Sequence, residues 1–103
     1  MRFLLKVNIP AEAGNAAAKA GKLGKTIQAI LADLKPEAAY FAAESGQRTG
    51  FIFLEMLDAS QIPAIAEPWF LAFNASIEFH PVMVPADLAK AAGAIEKAVK
   101  KYA

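Results

Sequence analysis

The run Phe51 to Leu57 presents large apolar side chains to both faces of a strand, and this constrains the fold more than any other feature of the chain. Such a strand is stable only where both faces are covered, so it belongs inside a sheet and not at an edge. A chain of 103 residues builds one hydrophobic core, since at this size folding buries about two-thirds of the surface that the unfolded chain exposes. We therefore expect one domain over residues 1–103, and ask what covers each side of its sheet.

The neighbouring segments supply the other strands. Phe3, Leu5, Val7 and Ile9 alternate with Leu4, Lys6 and Asn8, the two-residue period of a half-buried strand, and Pro10 ends it. Ala38 to Glu44 is a further strand, joined to Phe51–Leu57 by a loop from Ser45 to Gly50 whose two glycines permit positive φ. Ser76 to Val84 alternates again, with Ile77, Phe79 and Met83 on one side and Glu78, His80, Val82 and Val84 on the other. Pro81 cannot donate to a ladder, which predicts an edge strand.

Three helical segments separate or follow these strands. Ala11 to Leu34 predicts a helix broken by Gly14, Gly21 and Gly24, each interior glycine costing about 1 kcal/mol relative to alanine. Its firm half carries Ile27, Ile30, Leu31 and Leu34 as one stripe, and its weaker half is expected to start at Asn15 as N-cap. Asp58 and Ser60 offer caps for a helix bearing Ile62, Ile65, Ala66, Trp69, Phe70 and Phe73, kinked or split at Pro68 and ended by a left-handed Asn74. Ala86 to Tyr102 places Leu88, Ile95, Val99 and Tyr102 at helical spacing, with lysines near its C-terminus, and predicts an amphipathic closing helix.

The resulting order, β-α-β-β-α-β-α, is that of an α+β ferredoxin-like fold with a four-stranded antiparallel sheet, the first and third strands central. Its helices cover one sheet face, expected to be that of Phe3, Leu5, Val7, Ile9, Ile52, Leu54, Met56, Ile77, Phe79 and Met83. The other face then carries Leu4, Lys6, Asn8, Tyr40, Ala42, Glu44, Phe51, Phe53, Glu55, Glu78, His80 and Val82. That is too much apolar surface to leave against water, and a symmetric homodimer through the open face is its expected cover.

Strand order, the mixed open face, the stretch Ala66-Glu67-Pro68-Trp69 and the final strand Phe79 to Met83 together resemble small bacterial proteins of the dimeric α+β barrel superfamily, over nearly the whole chain. That superfamily includes muconolactone isomerase, chlorite dismutase, haem-degrading monooxygenases and cofactor-free quinone-forming monooxygenases. The resemblance implies pairing of two sheets and a small apolar or aromatic ligand between sheet and helices. The shared motifs are packing motifs, and none of those enzymes' catalytic motifs maps onto this chain residue by residue.

Composition removes several function classes. Eleven Lys and Arg against ten Asp and Glu create no field that draws in nucleic acid or an acidic membrane. Without cysteine there is no disulfide, thiolate metal site or Cys nucleophile, and one histidine rules out a multi-His site within one chain. The apolar start of the chain is too short for a signal peptide and no uncharged stretch reaches ~18 residues, so a cytoplasmic protein without cofactor or metal is expected.

The chemistry-bearing candidates are few. His80 with Glu78 on the same strand face forms a catalytic pair if His80 shuttles a proton and Glu78 orients it, as in a cofactor-independent isomerase or monooxygenase acting on an aromatic or unsaturated molecule. The commoner reading of a lone histidine with one carboxylate is an ordinary hydrogen bond at an interface. Asn8 and Glu55, with Lys6, line a polar pocket or form cross-strand pairs; Tyr40 and Trp69 stack on a planar ligand or pack the core; Arg48 binds a carboxylate or points to solvent. The segment Gly21 to Thr26 lacks the spacing of a phosphate-binding loop, with Lys19 where the first glycine belongs.

Overall fold

A computed structural model describes all residues 1–103. The strands are β1 (Arg2–Ile9), β2 (Ala38–Glu44), β3 (Gln47–Glu55) and β4 (Ser76–Pro81). The helices are α1 (Ala11–Lys19), α2 (Leu23–Leu34), α3 (Ile62–Phe73), α4 (Pro85–Lys90) and α5 (Ala92–Tyr102), with a 3₁₀ turn at Ala59–Gln61 leading into α3. The sheet runs β2-β3-β1-β4, and β1–β3, β1–β4 and β2–β3 all pair antiparallel. The connections from β1 to β2 and from β3 to β4 each skip one strand, the split β-α-β arrangement of a ferredoxin-like α+β fold. As the ferredoxin-like order, the two-faced Phe51–Leu57 run and Pro81 predict, β1 and β3 are central and β4 is an edge.

The register puts Leu5 opposite Ile52, Val7 opposite Gly50 and Phe3 opposite Leu54. Leu5, Val7, Ile9, Ile52, Leu54 and Met56 are buried on the helical side, against Ile30 of α2 and Ile65, Trp69 and Phe73 of α3. Phe3, Ile77 and Phe79 pack half-buried around this core, with the Phe3 and Phe79 rings edge to face at 6.3 Å. Met83 does not join them: β4 ends at Pro81 and the Met83 side chain is 66% exposed. Proline's missing N–H ends the ladder there, so the expected strand to Val84 is three residues too long.

Local chemistry also decides other boundaries differently from the sequence pattern. α1 starts at Ala11, not after Asn15, because Pro10 (φ −56°, ψ 143°) already sets the extended N-cap geometry and Gly14 fits inside the helix. The break falls at Gly21, with φ +70°, between α1 and α2. The hairpin between β2 and β3 is a two-residue turn, Ser45 (φ 54°) and Gly46 (φ 76°), rather than a loop reaching Gly50. Two successive positive φ angles match the twist of the flanking strands, so pairing resumes at once with Glu44 opposite Gln47.

α3 runs unbroken through Pro68. Ile65, Ala66, Trp69 and Phe73 bury on its inner face, and this packing outweighs the one backbone donor that proline removes. Ile62 and Phe70, expected on that face, stay more than a third exposed at its margin. Asp58 caps the segment: its carboxylate accepts from the Ser60 amide at 2.8 Å, while Gln61 Oε1 accepts from the amides of Leu57 and Asp58. Asn74 (φ 52°) ends α3 in the left-handed region, as its position after Phe73 predicts.

The C-terminal segment departs most from expectation. It is two helices, α4 and α5, meeting at Ala91, and no residue of either is buried. The molecule is 58 Å along its longest axis and 28 and 20 Å along the others. The segment therefore extends from the body and does not close over it. No helix is long and apolar enough to cross a membrane.

Candidate functional site

Strand alternation places two different surfaces on the sheet. The face without helices is built in rows by the register: Ala38, Phe53, Leu4 and His80 lie across the four strands, then Tyr40, Phe51, Lys6 and Glu78, then Ala42, Thr49, Asn8 and Ser76. Leu4, Phe51 and Phe53 are half-buried by one another and Tyr40 is 65% exposed, an apolar centre that nothing in the chain covers.

Charged groups frame that centre. Lys6 pairs with Glu44 on one side and, at 3.7 Å, with Glu78 on the other. The hydrogen bond to Glu44, then the charges of Glu44 and Glu78, hold the Lys6 ammonium above its ordinary value against the opposing effect of desolvation. Arg2 binds Glu37 through two hydrogen bonds, at 2.5 and 3.2 Å, and Glu55 meets the N-terminal ammonium at 3.2 Å. Asn8 donates to Thr49 Oγ1 at 3.3 Å. Glu55 and Asn8 are thus engaged in cross-strand contacts, the plainer of their two sequence readings.

His80 and Glu78 are brought together, Nε2 lying 3.5 Å from Oε1 with both side chains about half exposed, on an open strand surface. The other candidates on this face are spread by the sheet itself. Tyr40 shares a row with Glu78 but sits three strand spacings away, about 14 Å, and Asn8 lies four residues along β1 from the position opposite His80, about 13 Å. Within the chain these groups do not converge on one small substrate. No three acidic or imidazole groups converge as a metal-binding cluster.

Two candidates lie elsewhere. Trp69 is fully buried in the core, its ring 6.3 Å from that of Phe73 and its Nε1 without a hydrogen-bond partner. Arg48, opposite Ile9 in the register, lies on the helical side, where Nη1 donates to Asn15 Oδ1 at 3.0 Å and no ion pair engages the guanidinium. It stands at the wall of a cleft of about 350 Å³ between α2 and the β2–β3 edge, lined by Ile9, Leu23, Ile27, Phe41, Ala42, Ala43 and Thr49.

Phe41 of this cleft carries no chemistry-bearing signal of its own in the sequence. The signal lies in Gly50: a Cβ there would stand 3.0 Å from Cε1 of Phe41, so the missing side chain is what lets the ring lie against β3. A glycine within a strand pattern marks such a close approach as well as it marks a turn.

A comparison with curated proteins gives no match. Residues 1–96 match the model of a family described as a domain of unknown function, DUF3303, and the chain, from β1 into α5, belongs to that family.

Proposed function

We propose that this protein is a homodimeric α+β barrel module in which two copies pair their open sheet faces. The observation that carries this reading is the row structure of the open face: Leu4, Phe51, Phe53 and Tyr40 form a continuous apolar centre ringed by paired charges. Every few hundred Å² of such surface removed from water contributes several kcal/mol at roughly 25 cal/mol per Å². An isologous contact suits a patch with an apolar middle and a rim of both charge signs, because the same surface complements itself. Pairing also encloses His80 and Glu78, which supports a role for that pair at or between the sheets.

Sedimentation of the purified chain tests the reading. The expected result is a dimer at micromolar concentration that Phe53→Glu converts to a folded monomer with an unchanged far-UV spectrum. A wild-type monomer at high concentration would overturn it.

Arg48 favours a second reading, in which the module also holds a small apolar carboxylate between sheet and helices. Its guanidinium has no carboxylate partner and borders an apolar cleft whose volume, about 350 Å³, falls within the common range for small-molecule sites. Titration with octanoate, followed by amide chemical shifts, is expected to perturb Leu23, Ile27 and Phe41 and to lose at least tenfold in affinity with Arg48→Ala. Shifts absent from the cleft would exclude this ligand class.

A further inference from the structure

We infer that the C-terminal arm, residues 85–103, packs its apolar stripe across a second copy of this chain. The inference rests on the homodimer reading above and assigns the arm a part in it. Leu88 of α4 and Ile95, Val99 and Tyr102 of α5 recur at helical spacing and are 52%, 53%, 56% and 79% exposed. An amphipathic stripe is the part of a surface helix that normally faces a core. Here it faces none, because no residue of α4 or α5 is buried.

The arm is held away from its own body. The radius of gyration is 17.2 Å, against about 13 Å for a compact chain of this length. The Val82 amide donates to the Arg2 carbonyl at 3.2 Å, and the Asp87 carboxylate accepts from the Val84 amide at 3.1 Å, with Pro85 opening α4. These contacts anchor the point at which the arm leaves β4. A helix of 11 residues is marginal alone in water and gains its stability from packing. In this structure the arm's stripe packs against nothing in its own chain and is left to pack elsewhere.

Area and charge select a second copy as that surface. The open sheet face is four strands wide and about six residues long, a footprint of roughly 20 by 20 Å, small for a stable interface, which buries roughly 800 Å² of accessible surface per partner. An arm of helix about 27 Å long supplies the missing contact without a new partner. Residues 85–103 carry Lys90, Lys97, Lys100 and Lys101 against Asp87 and Glu96, while residues 1–84 carry seven Lys and Arg against eight Asp and Glu. A basic arm and a slightly acidic body are complementary between copies.

The test uses the full chain, which has no cysteine, so that Lys97→Cys on the polar face of α5 takes a single nitroxide label. Labelled chain is mixed with an excess of isotope-enriched wild type. The expected result is relaxation enhancement on body amides of the unlabelled copy, together with at least tenfold weaker dimerisation in the full-length Ile95→Asp, Val99→Asp double variant. Dimers that show no enhancement on body amides of the unlabelled copy, or an unchanged dimer constant in the double variant, overturn the arm contact and leave face pairing standing. Dimers that survive Phe53→Glu and dissociate in the double variant uphold the arm and overturn face pairing. A wild-type chain that stays monomeric, with no enhancement between copies, overturns both.

Discussion

Arg48 occupies the space that a side chain on Gly14 would take: a Cβ at that position would lie 2.6 Å from Nη1 of Arg48 and 3.2 Å from Cγ2 of Ile9. A helix glycine and a strand arginine, 34 positions apart in the sequence, are thus fitted to each other. Gly14→Ala is expected to displace the guanidinium from Asn15 and to leave stability within about 1 kcal/mol of wild type, as alanine's helical advantage of about 1 kcal/mol is set against the crowding. In the Arg48→Ala background the same substitution is expected to stabilise. Denaturant unfolding of the four chains checks this, and additive effects would show that the two residues are independent.

Trp69 leaves a buried indole N–H unpaired at the centre of the core. An unsatisfied buried donor costs about 1–3 kcal/mol, so Trp69→Phe removes that cost while giving up part of the ring's burial. The expected loss is below about 1.5 kcal/mol, whereas Trp69→Ala is expected to lose about 3–5 kcal/mol through the cavity it leaves. Urea titrations followed by circular dichroism measure both. A Trp69→Phe loss well above about 1.5 kcal/mol would show that the donor carries no such cost.

Asp58 is expected to impart a pH dependence to stability. Its hydrogen bonds from Ser60 lower the carboxyl below its ordinary 3.8, so folding favours the ionised form. The stabilisation is complete above that ordinary value and is lost as pH falls through the depressed one. Asp58→Asn keeps a capping acceptor but does not titrate there. Melting temperatures between neutral and strongly acid pH are expected to fall less steeply in the variant, and parallel profiles would remove Asp58 from the account.

His80 and Glu78 are an exposed pair at 3.5 Å, and such pairs contribute little to folding. His80→Ala is expected to change unfolding free energy by less than about 0.5 kcal/mol. If two copies pair their open faces as proposed, dimerisation is expected to weaken, because such pairing would enclose the site. If the chain instead catalyses an isomerisation or oxygenation with His80 as proton shuttle, turnover collapses in this variant while dimerisation persists.

The alternation of Phe3–Ile9, the two-faced Phe51–Leu57 run and Pro81 in the last strand were enough to read strand order, central strands and edge from the sequence. These signals are local: side-chain period and missing N–H groups act through one strand and its neighbours. The stop at Asn74 and the cap at Asp58 are legible for the same reason. Of the candidate residues, His80 and Glu78 lie on one strand two positions apart, so their proximity follows from the strand period alone.

What depended on distant contacts was decided only in three dimensions. Gly50 reads as a turn glycine until Phe41 is seen lying against it, and Pro68 reads as a break until the packing of Trp69 and Phe73 holds α3 together. The sheet's width separates Tyr40 and Asn8 from His80, and its handedness of faces sends Arg48 to the helical side. An amphipathic stripe shows in sequence that residues 85–103 want a partner, but whether that partner is the chain's own core depends on the path after β4, which leaves α4 and α5 unburied because the stripe meets no core residue of its own chain.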